Sequence, residues 1–359
     1  MESTPAAAVR PMNGGDGLHS YTKNSDFQRK AVDASKELIH KAISEKLDIE
    51  ILSSSSIFKL ADLGCSVGPN TFFSVQNIID AVELKCQIQE KAIKLPEFLV
   101  FFSDQTLNDF NQLFQSLPPE RPYFASGLPG SFHSRLFPSA FLHFVHSSYA
   151  LHFLSGFPKE MEDKSSPAWN QGRINHSTAS DEVVRCYEAQ YSKDLENFLD
   201  ARAQELVDGG LMGLIIPGRS HGTPHSQVFG NNVIELIGSC LVDMANKGIV
   251  SYKKIDSFNF PWYFSSLEEV ESIVQRTGFF SIEIMESFPQ VKPELETAAY
   301  TARAAFEGII KRHFGHEIID DMFILFEEKL KESSSFYETG ECINLFVLLK
   351  RITTVQKKM

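Results

Sequence analysis

Phe72, Val75, Ile78, Ile79 and Val82 recur at the spacing of one helix face. They follow a short apolar run from Phe58 that ends at Asp62 and breaks into a turn with Gly64 and Gly68. Strand, glycine turn and helix are therefore predicted in succession. Residues 97–103, EFLVFFS, form a continuous apolar run between Pro96 and Asp104 and predict a second buried strand. Residues 142–154, LHFVHSSYALHFL, begin as a strand and leave it near Ser147. Leu195, Phe198, Leu199, Ala203, Leu206 and Val207 share a helix face, with Gly209 and Gly210 as its stop. LMGLII at 211–216 and INLFVLLKR at 343–351 predict two further strands, and helical periods recur over 233–244, 267–274 and 298–314. The polar stretches 162–181, 220–227 and 289–296 read as loops, and 298–331 as a helical cap over the sheet's active edge. Alternation of this kind predicts an α/β, doubly wound, Rossmann-like sheet with a mostly helical cap.

Composition narrows the class. A chain of 359 residues is long for one core, so one large domain with an attached cap, or two domains, is expected. We read residues 1–11 as a flexible lead-in and 351–359 as a tail. The single unit 12–350 takes its cap from its N-terminal segment and from 160–182, 220–250 and 289–335. Apolar and charged contents of 43% and 22% are globular values and exclude a disordered chain. A net charge of −12 opposes a nucleic-acid partner. There is no run of 18 apolar residues to span a membrane, and MESTPAAAVRP does not read as a secretory signal. Cys65, Cys86, Cys186, Cys240 and Cys342 form no C-x-x-C pair, so reduced thiols in a cytoplasmic enzyme are expected.

The turn after the first strand carries the chemistry. Glycines let a backbone approach a ligand where a Cβ would clash. The spacing is G-x-x-x-G with an acid before it, not the G-x-G-x-x-G that seats a pyrophosphate. An acid at that turn welcomes a cation. S-adenosylmethionine, with a sulfonium, an α-ammonium and no phosphate, suits it better than NAD. Asp104, at the end of the second strand, is placed to take ribose hydroxyls. From the residues alone, both acids read equally well as turn-formers.

The ordered motifs MNGGDGLHSY, DLGCSVGPNT, NDFN, GLPGSF, HSSYALHF and DSFNFPWY closely resemble the plant SABATH methyltransferases, from residue 12 to residue 350. That family methylates carboxylic acids such as salicylate, benzoate, jasmonate, loganate and farnesoate, and purine nitrogens in caffeine synthesis. The resemblance implies S-adenosylmethionine as cofactor, held by Tyr21, Asp62, Cys65, Asn70, Asp104, Gln105, Ser131, Phe132 and Ser147. In this reading Asp62 holds the α-ammonium or its neighbouring water, Phe132 walls the adenine and Ser131 bonds its edge. Gln105 stands where relatives often have Leu.

On the acceptor side the resemblance implies Gln28, Tyr149, His152, Phe153, Val233, Ile234, Ala302 and Cys342. The best-known carboxyl methyltransferases place at Phe153 a Trp whose indole N–H grips one carboxylate oxygen, and Phe has no donor. His152 reads also as an ordinary core histidine. Val233, Ile234, Ala302 and Cys342 are smaller than the side chains that confine salicylate in relatives, which implies a larger acid. Asn170, Asp256, Phe258 and Asn259 match a family Mg²⁺ site, although one carboxylate makes a weak one and DSFN alone reads as a turn. A homodimer is expected.

Three functions follow: a carboxyl O-methyltransferase for a small, fairly apolar plant acid, a purine N-methyltransferase, and a catalytically silent ligand-binding member of the fold. The intact cofactor set disfavours the third. A carboxylic acid is ionised at neutral pH, so the first needs no general base.

Overall fold

The computed structural model describes residues 11–88, 94–157, 159–161 and 163–352. The expected lead-in and tail lie outside these, apart from residues 11, 351 and 352. Helices α1 (Asp26–Lys46) and α2 (Ile49–Ser54) precede β1 (Ile57–Leu63), α3 (Asn70–Ile88), β2 (Glu97–Asp104), α4 (Phe110–Gln115), β3 (Tyr123–Pro129) and β4 (Leu142–Ser148). The long α5 (Asp181–Glu205) runs into β5 (Leu206–Gly218), followed by α6 (Phe229–Asn246), α7 (Tyr252–Asp256) and α8 (Leu267–Thr277). The described chain closes with β6 (Phe280–Pro289), α9 (Leu295–Phe314), α10 (Ile319–Glu332), α11 (Ser334–Glu338) and β7 (Ile343–Arg351).

The strands form one seven-stranded sheet in the order β3-β2-β1-β4-β5-β7-β6. The first five in that order pair in parallel, and β7 enters antiparallel to both β5 and β6. The parallel strands are covered on both faces, which explains their near-continuous apolar sequences. Phe58 and Leu60 of β1 face the core shared with α3, together with Phe98, Val100, Ile215 and Phe346. Ala61 and Leu63 belong to the opposite core, with Val145, Met212, Leu214 and Val347, under α5 and α8. A third cluster joins α6, α9 and α10 into a helical layer. The α/β class and helical material over 298–331 are as the pattern predicts.

Three expectations are corrected. Leu206 and Val207 are strand, not helix: α5 stops at Glu205, and Gly209, at φ +75°, lies inside β5. Apolar residues after Glu205 satisfy a helix face and a buried strand alike, and pairing with β4 decides between them. The hydrophobic pattern does not mark strands β3 and β6. Tyr123–Pro129 carries Gly and Pro at a sheet edge, and Phe280–Pro289 interleaves Ser and Glu along the other edge. Nor does it mark the 21-residue α1, whose polar residues outweigh the apolar stripe of Ala31, Val32, Ile39, Ala42 and Ile43.

Candidate active site

The carboxyl ends of β1, β2 and β3 are tied into one rim. Gly64 and Cys65 donate their backbone N–H groups to Ser103 O at 2.8 and 3.1 Å, and Gly130 donates to Asp104 O at 2.8 Å. Gly64 takes φ +88°, and a Cβ there would overlap the Ala150 methyl. Ser66 follows at φ +54°, and Asn108 Nδ2 donates to its carbonyl at 2.9 Å. Asp104 closes the rim. One carboxylate oxygen accepts from Ser66 N at 2.7 Å and the other from Gln105 N at 2.8 Å. Its carboxyl is nevertheless pushed up to about 6, because burial outweighs the two N–H donors and Asp62 adds to it. A carboxylate fixed through both oxygens keeps its remaining lone pairs for a diol.

This rim bounds a cavity of about 430 Å³ lined by Tyr21, Gly64, Ser66, Asp104, Gln105, Asn108, Ser131, Phe132, Ser148 and Tyr149, among others. Phe132 stands edge-on to Phe198 at 5.8 Å between ring centres. Its loop is pinned from beneath by a buried ion pair. Arg202 Nε meets Glu205 at 2.7 Å and donates further to Phe132 O and Ser134 O at 2.8 and 3.0 Å, while Glu205 accepts from Phe137 N at 3.0 Å. Sequence reasoning missed this support because Arg202 and Glu205 look like an ordinary exposed i,i+3 helix pair.

Four of the expected cofactor residues lie behind the cavity wall. Asp62 is buried beneath the turn, where one oxygen takes the Thr71 hydroxyl and the other lies 2.7 Å from His146 Nδ1. It braces the turn instead of reaching through it. Cys65 turns its thiol into the core beside α3, with Ser66 O at 3.5 Å. Asn70 opens α3 and donates to Ser25 O at 3.0 Å, joining that helix to α1. Ser147 bonds Leu63 O at 2.8 Å, and alternation along β4 gives the cavity to Ser148. The period of two could have found Ser148, and the NDFN motif Asn108.

A second cavity, of about 90 Å³, begins where the first ends. Met12, Tyr21, Tyr149 and Phe153 line both. Beyond them it is walled by Phe27, Gln28, His152, Phe229, Val233, Trp262, Phe264, Ala302, Phe306 and Cys342, among others. Ile234 is not among them. It is fully buried among the cap helices, because Gly230 and Val233 occupy the face of α6 that meets the cavity. Burial lowers His152 to about 3, so its ring is neutral at physiological pH, and it pushes the Cys342 thiol up to about 12. Glu341 is engaged with the backbone N–H and hydroxyl of Ser220. Tyr149, at φ +56°, is fixed by a relay: its hydroxyl donates to Asn344 at 2.7 Å, Asn344 donates to Gln290 at 3.0 Å, and Gln290 donates to Phe27 O at 2.6 Å. The relay spans β4, β7, the end of β6 and α1, none of them near another in sequence.

The residues expected to hold Mg²⁺ bond mainly to protein groups. Asn170 Nδ2 donates to Asn175 O at 2.9 Å and to Asn259 Oδ1 at 3.2 Å, and Asp256 Oδ1 accepts from Gly172 N at 3.0 Å. Phe258 packs its ring on Phe260, His313 and Phe314. Asn170 Oδ1 is the one buried side-chain oxygen of the four without a partner, and among the described residues no group of three or more His, Cys, Asp or Glu gathers. A single carboxylate with one oxygen already engaged by Gly172, beside amides bonded to protein groups, makes a poor anchor for a hard dication. The set works as a loop clamp, and the expected magnesium finds no support.

Comparison with known proteins agrees with this geometry. The sequence profile of SAM-dependent carboxyl methyltransferases matches residues 7–352. Loganic acid O-methyltransferase of Catharanthus roseus is 42% identical, over 98% of this chain and 97% of its own length. Farnesoic acid carboxyl-O-methyltransferase of Arabidopsis thaliana is 43% identical, over 89% of this chain and 92% of its own. The solved structure of a loganic acid methyltransferase with SAH superposes with a TM-score of 0.92, at 42% identity, covering 96% of this chain and all of that one. With its two joined cavities, its strand order and these matches, the chain belongs to the SAM-dependent carboxyl methyltransferases, the family its motifs resemble.

Proposed function

We propose that the protein esterifies a slender, largely hydrocarbon carboxylic acid of terpenoid type, using S-adenosylmethionine. The observation that carries this is the junction at Met12, Tyr21, Tyr149 and Phe153, where a cavity bearing a ribose-ready carboxylate opens into a more apolar one. When bound, the cofactor supplies an electrophilic methyl group. Its transfer to the acid's oxygen would give an ester and leave a neutral thioether. The chain's own part is to place and to dry. Asp104, Ser66 and Asn108 fix the rim, and Phe132 walls the adenine side. Tyr149, held by its relay, keeps the two cavities in register. Holding reactants in line supplies about 7–11 kcal/mol of such a barrier. His152 stays neutral and takes no proton, since a carboxylic acid arrives ionised.

The narrow aromatic and aliphatic lining, with Val233, Ala302 and Cys342 in its wall, favours a hydrocarbon chain over a sugar-bearing acid. A glycosylated acceptor would leave many hydroxyls without partners there. Incubation with methyl-labelled cofactor and farnesoic acid, loganic acid, salicylate and a xanthine tests this. The expected product is a base-labile methyl ester, formed fastest from farnesoic acid. A base-stable N-methyl product from the xanthine alone would overturn the reading.

A further inference from the structure

Within the acceptor cavity, three buried polar atoms have no hydrogen-bond partner: Gln28 Oε1, His152 Nδ1 and Trp262 Nε1. Buried donors and acceptors are normally paired, so three orphans in one small cavity need a cause. Trp262 is the most informative. Its indole stands among aromatic rings, 4.9 Å from His152, 5.0 Å from Phe264 and Phe306, and 5.5 Å from Phe153. Beyond a larger ring, what Trp has and Phe lacks is the N–H, and the protein offers it no acceptor. Position 262 is also locked to position 153, because the two backbones form an isolated antiparallel bridge. A donor on one can reach the space served by a donor on the other.

Resting on the carboxyl-methylation reading above, we propose that the Trp262 indole N–H donates to one oxygen of the acceptor carboxylate, with the Nε2 N–H of the Gln28 side-chain amide donating to the other. Trp262 is then the specificity-determining residue for acids, in the place left open by Phe153. The neighbouring His152 ring stands at 80° to the indole and completes a dry wall on that side. Each carboxylate oxygen has more than one lone pair, so the oxygen beside Gln28 can still accept the methyl group. An alcohol of the same chain, having no anionic oxygen, gains far less from this donor.

The chain contains only two tryptophans, Trp169 and Trp262, so a ¹⁵N-indole-labelled sample gives two N–H signals, and Trp169→Phe assigns them. In the SAH complex, farnesoic acid should move the Trp262 signal strongly downfield, and farnesol should not. Trp262→Phe should lower kcat/KM for farnesoic acid roughly ten- to hundred-fold while changing farnesol affinity little. Moving the donor back with Phe153→Trp in that background conserves the combined ring volume and should restore most of the loss. Parallel losses for acid and alcohol, or a Trp262 signal that does not respond to the acid, would overturn the role of Trp262. Failure of the wild-type enzyme to esterify any acid is a separate result, and it would strike the carboxyl-methylation reading itself.

Discussion

Asp104 is a carboxylate whose acidity is set by its place at the cavity floor. Its folded value of about 6 lies above the ordinary one, so the empty protein holds that proton more tightly than the unfolded chain does. Its contribution to stability is complete below the ordinary carboxylate range and is lost as pH rises through about 6. Ribose hydroxyls need the ionised form as acceptor, so SAH affinity should climb from pH 5 and level off above 6.5. The slope should not exceed roughly tenfold per pH unit. Calorimetry across that range checks it, and Asp104→Ala should give weak, flat binding. Phe153 makes the second prediction at this scale. Phe153→Trp alone adds a donor and removes volume, and overpacking costs typically 1–3 kcal/mol. Relative kcat/KM should therefore shift toward salicylate and away from farnesoic acid by about tenfold. Unaltered ratios would show that position 153 does not feel the acceptor.

Among the elements, the β1–α3 turn bears the tightest constraint. Gly64 combines φ +88° with a backbone so close to Ala150 that no Cβ fits. Gly64→Ala should destabilise the fold by roughly 1–3 kcal/mol and weaken SAH more than it weakens stability, since the rim must move. Thermal unfolding with and without SAH separates the two effects. The clamp of Asn170, Asp256 and Asn259 predicts the opposite kind of result. Its members bond to protein groups, so EDTA dialysis should leave both the melting temperature and methylation unchanged. A drop in melting temperature that Mg²⁺ reverses would refute the clamp.

For the whole molecule, cofactor choice follows from how three strand ends meet. The rim offers a carboxylate for a diol and no G-x-G-x-x-G cradle for a pyrophosphate. SAH at 100 times its dissociation constant should stabilise the protein by about 2.7 kcal/mol, while NAD at the same concentration should leave the melting curve where it was. Differential scanning fluorimetry reads this directly.

Sequence alone determined the fold class, because buried parallel strands and amphipathic helices leave periodicities that no distant contact can hide. The cofactor class came with the resemblance carried by the ordered motifs, since from the residues alone both acids read equally well as turn-formers. Edge strands β3 and β6 escaped, for their polar and glycine-bearing residues are legible as strand only beside a partner. Which side chains face the ligand was a tertiary decision. Asp62 and Ser147 stand one turn or one residue from the cavity, and the hydrogen bonds of Thr71, His146 and Leu63 turn them away from it. Trp262 meets Phe153 across 109 residues of sequence, and the Tyr149–Asn344–Gln290 relay joins residues 195 and 54 apart, with Asn344 supplied by β7 where it lies between β5 and β6. Local pattern fixes what a segment can be. Contact between remote segments fixes what it touches.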